Sequence, residues 1–309
     1  MSKILVTGAE GFIGSHLVER LLKDGHDAHS TVLYNFQGLP GWLEEVEPHP
    51  KHMGDIRDVE WCFNIMKDFE YVIHLAAMID VWHSFHQPRL YVETNTVGTL
   101  NVAQACVRNN VKLIHTSSSE VFGTAEYTPQ DERHRKNPQS PYAASKVAAD
   151  SLVKSFVDSY SLRAVTLRPF NTYGPRQSTR AVLAKMCRLA ALGATVWSLG
   201  NLQAMRDWVF VEDTVDAFVR ALELPFDGQE YNFGTGCPIS VSEALDIIAE
   251  YAGFLPMIEE SPVQLRPTDA EVHLLSADAS KFRGATDWKA RTPITDGLKK
   301  TLEWWGDRV

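Results

Sequence analysis

The chain has 309 residues, enough for one large domain or two modest ones around a substantial core. Hydrophobic residues make up 44% and charged residues 22%, the balance of a soluble globular protein and not of a disordered, fibrous or disulfide-built one. A formal net charge of −9 disfavours nucleic acid as a partner but leaves room for a local basic pocket.

The N-terminus, MSKILVTGAEGFIG, enters a strand pattern directly, so no signal peptide is expected. No apolar run reaches the length that spans a bilayer, so no membrane partner is expected. KILVTGA predicts a first strand, and GFIGSHLVERLLKDG a helix that stops at Gly25. DAHSTVLY predicts a second strand with a polar start. After a polar loop with Gly38, Pro40 and Gly41, HMGD predicts a short third strand and VEWCFNIMKDF a helix. EYVIHLAA reads as a fourth strand, LYVETNTVGTLNVAQACVRNN as a long helix, and VKLIHTSSS as a fifth strand. SPYAASKVAADSLVKSFVDSYS is a second long helix, followed by the strand RAVTLRP. This alternation predicts an α/β fold, a Rossmann-type doubly wound parallel sheet with helices on both faces.

Past about residue 170 the pattern is irregular and richer in Pro and Gly, with helices predicted in TRAVLAKMCRLAALG, VEDTVDAFVRALEL, SVSEALDIIAEYAG and ITDGLKKTLEWWGD. Trp304 and Trp305 in the last of these read as packing residues. Four scattered cysteines (Cys62, Cys106, Cys187, Cys237) form no CxxC pair, and the eleven histidines form no HxxxH pair on a helix. Neither a disulfide framework nor a metal site is expected, and the cysteine usage suits a reducing cytoplasm.

GAEGFIG places Gly8, Gly11 and Gly14 between the first strand and first helix. Such glycines permit a tight turn, a close approach to a pyrophosphate and close helix–strand packing, with the anion at the helix N-terminus. The alternative is a glycine-rich turn without a ligand. An acidic residue ordinarily follows the second strand to hold the adenosine ribose, but STVLYNF offers Tyr34 and Asn35, no carboxylate and no arginine. NAD versus NADP therefore stays open. Asp55 in GDI can reach an adenine edge or be a solvated turn residue. The expected division is a dinucleotide-binding domain over 1–170 and a smaller C-terminal α/β substrate lobe over 171–309, with some chain exchange between them.

SPYAASK sets Tyr142 and Lys146 four apart on one helix face. A tyrosine, with a pKa of about 10, is a poor base unless nearby positive charge stabilises its phenolate, and Lys146, joined by the positive nicotinamide of a bound cofactor, is expected to do so. HTSSSEVFG crowds Ser118, Ser119 and Glu120 at the end of the fifth strand, where hydroxyls can meet a substrate oxygen beside Tyr142.

Together the three glycines, HLAA (74–77), SSSEVFG, SPYAASK and RPFNTYGPRQ (168–177) resemble the extended short-chain dehydrogenase/reductases of the NAD-dependent epimerase/dehydratase family, over nearly the whole chain. The resemblance implies a tightly bound, recycled NAD or NADP, no metal, a nucleotide-diphosphate hexose substrate and a homodimer built on the two long helices. It assigns catalysis to Ser118, Ser119, Glu120, Tyr142 and Lys146. It assigns cofactor binding to Gly8, Gly11, Phe12, Ile13, Gly14, Tyr34, Asn35, Asp55, Ile56, Leu75, Ala76 and Ala77, with Tyr142 and Lys146. Asn171, Arg180, Arg206 and Arg266 fall at positions that hold the sugar nucleotide, arginine suiting a diphosphate through its planar fork. Asn95 is expected to buttress the fifth strand.

Glu120 narrows the reaction. Family epimerases carry a small residue there, whereas 4,6-dehydratases carry a glutamate whose carboxylate removes the C5 proton made acidic by a 4-keto group and helps expel the C6 hydroxyl. Ser119 stands where glucose-type dehydratases have an aspartate, as in mannose-type enzymes, which leaves the acid role to Glu120 or water. Several stretches look closest to N-acetylglucosamine 4,6-dehydratase-like enzymes of legionaminic-type pathways. Bulky Trp82 and His83, in a loop expected to face the sugar, depart from that pattern. UDP-glucuronate-type decarboxylases also carry the glutamate, so the alternatives are a 4-epimerase, a decarboxylase and a silent dinucleotide-binding sensor. Glu120 can also simply cap a turn or pair with an arginine.

Overall fold

The computed structural model describes residues 1–35, 37–261, 266–267 and 270–309. Six strands, β1 (Lys3–Thr7), β2 (Asp27–Val32), β3 (Lys51–Met53), β4 (Tyr71–His74), β5 (Lys112–Thr116) and β6 (Ala164–Pro169), join a seventh, Glu230–Phe233, in one sheet. From one edge the order is Glu230–Phe233, β6, β5, β4, β1, β2, β3, and every neighbouring pair is parallel. The chain reverses its direction of travel across the sheet between β1 and β4. In such sheets, ligands bind outside the carboxyl ends of the strands at this switch point.

The sheet is Rossmann-type and covered on both faces. Ile4 and Val6 of β1 enter one apolar cluster with Ile73, Ile114 and Val165, while Leu5 enters another with Val72, Leu113 and Ala164. The two-residue alternation of a strand divides each apolar run between the faces. Helix Phe12–Lys23 packs beside Val211–Arg220 on one side, and Val59–Ile65 beside Gly98–Asn109 on the other.

Several elements differ from the sequence expectation. The fifth strand stops at Thr116, because Ser119–Phe122 folds into a tight 3-10 turn capped by Ser118. The long helix expected over 90–110 is broken by a π-turn, Val92–Val97, between Pro88–Tyr91 and Gly98–Asn109. The expected sugar-facing loop around Trp82 and His83 contains a short helix, Val81–His86, whose first turn is capped by Asp80 accepting from the His83 amide at 3.1 Å. After residue 171 the chain returns to the main sheet through Glu230–Phe233.

The remaining strands form short ladders, among them Asn171–Tyr173 with Trp208–Phe210 and Met205–Arg206 with Ile239–Ser240. Helix Ile294–Gly306 packs on Val182–Ala191 and Val241–Ala252, and its Trp304 meets Trp42 edge-on, with ring centroids 5.5 Å apart. No helix among the described residues is long and apolar enough to cross a membrane.

Candidate functional site

The glycine loop leaves β1 and enters helix Phe12–Lys23. Gly8 has a φ of +66°, and a Cβ there would come within 2.7 Å of the Ala76 amide nitrogen. A Cβ on Gly14 would overlap the Gly8 carbonyl oxygen. These two glycines are therefore demanded by the packing of the loop on itself and on the exit of β4. Gly11 is different, since its added Cβ would meet only the Gly8 oxygen, at 3.3 Å. Its face stays clear where a pyrophosphate would approach, and no side chain among the described residues caps the helix amides behind it. The loop thus fits a dinucleotide. Phe12, Ile13 and Leu75 lie partly buried against the core, fixing the loop and the β4 exit from behind.

The expected adenosine-end residues are distributed differently. Tyr34 is 70% exposed, and the Asn35 side chain closes its own loop through both ends of its amide on the Leu39 backbone. Asp55 is gripped by Arg57, at 2.6 Å in the shortest contact. Ile56 is buried in the core, against the bare face of Gly98.

Ser140 caps helix Pro141–Tyr160, its hydroxyl accepting from the Ala143 amide at 3.0 Å, and Pro141 occupies the first helical position. This start places Tyr142 in the first turn, 8% exposed, with the Ser118 hydroxyl beside its oxygen. Lys146 follows one turn later and donates to the Thr116 carbonyl at 2.5 Å. Burial pushes the Tyr142 hydroxyl up to about 12, with Ser118 pulling it down and the charge of Glu120 pushing it further up. Burial also pushes the Lys146 ammonium down to about 8, against the pull of Asp150. The lowering expected from Lys146 together with a bound nicotinamide does not appear in the chain by itself. The ammonium is turned to the end of β5, and desolvation of the phenol dominates.

Glu120 is buried beside this pair and is held in an ion pair. Arg266 grips it through two parallel bonds, Nη1 to Oε2 at 3.0 Å and Nη2 to Oε1 at 3.1 Å. Burial raises the carboxyl pKa, but Arg266 and then Arg206 more than offset this and hold it below the usual carboxylate range. Arg206 is buried, donates to the Met205 carbonyl and approaches Glu271 at 3.7 Å. Arg180 stands apart, its side chain 73% exposed and 3.8 Å from Asp80. Asn171 leads the ladder Asn171–Tyr173, and its Oδ1 is buried without a hydrogen-bond partner among the described residues.

The profile of the family described as "GDP-mannose 4,6 dehydratase" matches residues 5–301. The chain belongs to this family. It is an extended short-chain dehydrogenase/reductase, among enzymes that are NAD-dependent nucleotide-sugar dehydratases and epimerases. It is 35% identical to a UDP-glucose 4-epimerase of Mycolicibacterium smegmatis, covering 99% of each chain. It is also 30% identical to a dTDP-glucose 4,6-dehydratase of Mycobacterium tuberculosis, over 99% of this chain and 93% of the relative. Among solved structures it resembles DesIV, a dTDP-glucose 4,6-dehydratase from Streptomyces venezuelae with NAD and TYD bound. That likeness has a TM-score of 0.90 and 26% identity, over 99% of this chain and 97% of the other. The relatives' names divide between dehydration and epimerisation.

Two polar networks support the site in this family member, and sequence reasoning missed most of both. Thr7 Oγ1 meets His74 Nδ1 at 2.8 Å, and His74 Nε2 meets the Thr99 hydroxyl at 3.1 Å, tying β1, β4 and helix Gly98–Asn109 together. Asn95, expected under the fifth strand, instead bonds both backbone groups of Met78 and donates to Ser145 at 2.9 Å. The π-turn turns it toward the β4 exit and the tyrosine helix.

Under that helix Asp150 accepts from Ser117 at 2.8 Å, from Arg168 at 3.0 Å and from Lys136 at 3.3 Å, with His115 at 3.1 Å. Arg168, fully buried, continues to Glu230 at 2.8 Å and Asn232 at 3.0 Å. The signal for Asp150 was its position, one helical turn past Lys146 on the same face.

Proposed function

We propose that this protein is a nucleotide-sugar 4,6-dehydratase, and the observation that carries the reading is the buried carboxylate of Glu120 beside the Ser118–Tyr142 hydroxyl pair. A nicotinamide dinucleotide, when bound, supplies transient hydride acceptance. Gly8, Gly11 and Gly14 would hold its pyrophosphate. Tyr142 takes the proton of the sugar C4 hydroxyl and Ser118 orients that oxygen, while Lys146 would have to turn from the Thr116 carbonyl to supply positive charge to the phenol. Glu120 then removes the C5 proton and passes it, directly or through water, to the C6 hydroxyl, which leaves as water. The hydride taken from C4 would be returned at C6 and a solvent proton taken up at C5, so that the cofactor ends unchanged.

Arg206 and Arg266 suit the substrate's diphosphate, and the unpartnered Asn171 Oδ1 suits a donor on the sugar nucleotide. Arg266 has two claims on it, because its fork is engaged by Glu120. Binding of a diphosphate would draw the fork away and leave Glu120 a stronger base. A second reading, 4-epimerisation, is favoured by the same ion pair: if Arg266 keeps its grip, Glu120 stays a charged but weak base and the C5 proton survives.

A panel of UDP-, GDP-, CDP- and dTDP-hexoses, read by mass spectrometry, separates the two. Loss of water, with deuterium from the solvent appearing at C5, is expected. Isomers of unchanged mass would refute dehydration in favour of epimerisation, and loss of carbon dioxide from a uronic acid would indicate decarboxylation. Tyr142→Phe should lower turnover by roughly 10²–10⁴-fold, and a variant as active as the wild type would point to a protein that only binds dinucleotide.

A further inference from the structure

The end of β2 lacks the carboxylate that ordinarily holds the adenosine ribose, yet a carboxylate is present there. It comes from the glycine loop. Glu10, between Gly8 and Gly11, reaches across so that its Oε1 accepts the Leu33 amide at 2.9 Å, just past the last residue of β2. Its other oxygen, Oε2, is buried and has no hydrogen-bond donor among the described residues. Its backbone is held too. The Glu10 carbonyl accepts the Trp42 amide at 3.1 Å, and a Cβ on Gly41 would come within 2.6 Å of that oxygen. The side chain is therefore anchored between the phosphate-binding turn and the loop after β2.

A carboxylate oxygen out of water and without a donor is costly, and the cost disappears once a donor is brought to it. We infer that Glu10 is the specificity-determining residue for the cofactor's adenosine ribose. Its free oxygen takes the 2′-hydroxyl and its charge rejects a 2′-phosphate, so the protein selects NAD over NADP. The inference rests on the reading of the glycine loop as a dinucleotide site. The other residues at that end support it: Tyr34 points outward, Asn35 spends its amide on Leu39, and no lysine or arginine occurs between Val32 and Lys51 to receive a phosphate. An acidic side chain one step before the second glycine would thus do the work ordinarily done from β2, since its carboxylate reaches the residue that follows that strand.

Fluorescence or calorimetric titration of the purified full chain with NAD, NADP and 2′-deoxy-NAD reads this without turnover. Wild type should bind NAD at least 100-fold more tightly than NADP and about tenfold more tightly than 2′-deoxy-NAD, a tenfold loss being what one hydrogen bond to a charged acceptor provides. Glu10→Gln keeps an oxygen for the Leu33 amide but replaces the free acceptor by a donor, and should narrow the NAD-to-NADP ratio at least tenfold. Equal binding of NAD and NADP by wild type, or an unchanged ratio in Glu10→Gln, would overturn the role of Glu10. Binding of none of the three by wild type would overturn the dinucleotide reading itself, and the inference with it.

Discussion

Glu120→Gln, Arg266→Gln and the double variant form a cycle that measures the ion pair at the centre of the site. The two bonds are 3.0 and 3.1 Å long, and the side chains are only 9% and 19% exposed, so solvent screens the pair much less than a surface pair. Removing one partner of a buried pair costs about 3–5 kcal/mol. Here Arg206 remains near Glu120 and Glu271 near Arg266, which brings each single change to about 2–3 kcal/mol.

In the double variant no buried charge is left unpaired between the two positions, so the total loss should fall short of the sum by about 1–2 kcal/mol. Urea unfolding of the four proteins reads this as midpoint shifts at constant slope. Additivity within about 0.5 kcal/mol would refute the pair as an energetic unit. The cycle also tests the competition for Arg266. Freed of its partner in Glu120→Gln, the arginine should bind a nucleoside diphosphate about tenfold more tightly, about 1.4 kcal/mol. An affinity unchanged or weakened would show that the fork never serves the diphosphate.

Asp150→Asn removes the acceptor shared by Ser117, Arg168 and Lys136, and should destabilise the protein by about 3–5 kcal/mol in urea unfolding. Because Asp150 also holds up the pKa of Lys146, the variant should lose the ammonium at lower pH, and its activity should decline with rising pH earlier than that of the wild type. A matching pH profile would remove Asp150 from that role. Acid should destabilise the fold through its histidines. His49, His52, His74 and His115 are held below their ordinary value of 6.5 chiefly by burial. The unfolded chain therefore takes up protons first as pH falls through 6.5, and stability declines below that point. Melting temperature should be lower at about pH 5.5 than at about pH 7.5, while carboxylates remain ionised. A constant or rising melting temperature would contradict this.

Strands and helices of the first half were legible because each signal is local. Apolar runs such as ILV at 4–6 and VI at 72–73 mark strands buried on both faces, and Gly25, Ser140 and Pro141 mark helix ends by their backbone preferences. The interruptions were less legible. Nothing in LYVETNTVGTLNV distinguishes a π-turn from a regular helix, since the extra residue is accommodated by what Asn95 bonds outside its own segment. Glu230–Phe233 is too short to declare itself a sheet strand without β6 beside it. The helix at Val81–His86 could have been found from its Asp80 cap.

By itself, the sequence determined the fold class, the place of the glycine loop and the presence of Ser118, Tyr142 and Lys146 at a strand end and on the following helix. Those features depend on periodicity and spacing within short segments. Tertiary structure decided the electrostatics. It set Glu120 against Arg266, 146 residues later, turned Lys146 toward Thr116, and carried the Glu10 carboxylate to the end of β2. Such pairings depend on which segments meet across the sheet, and on how much water is excluded where they do.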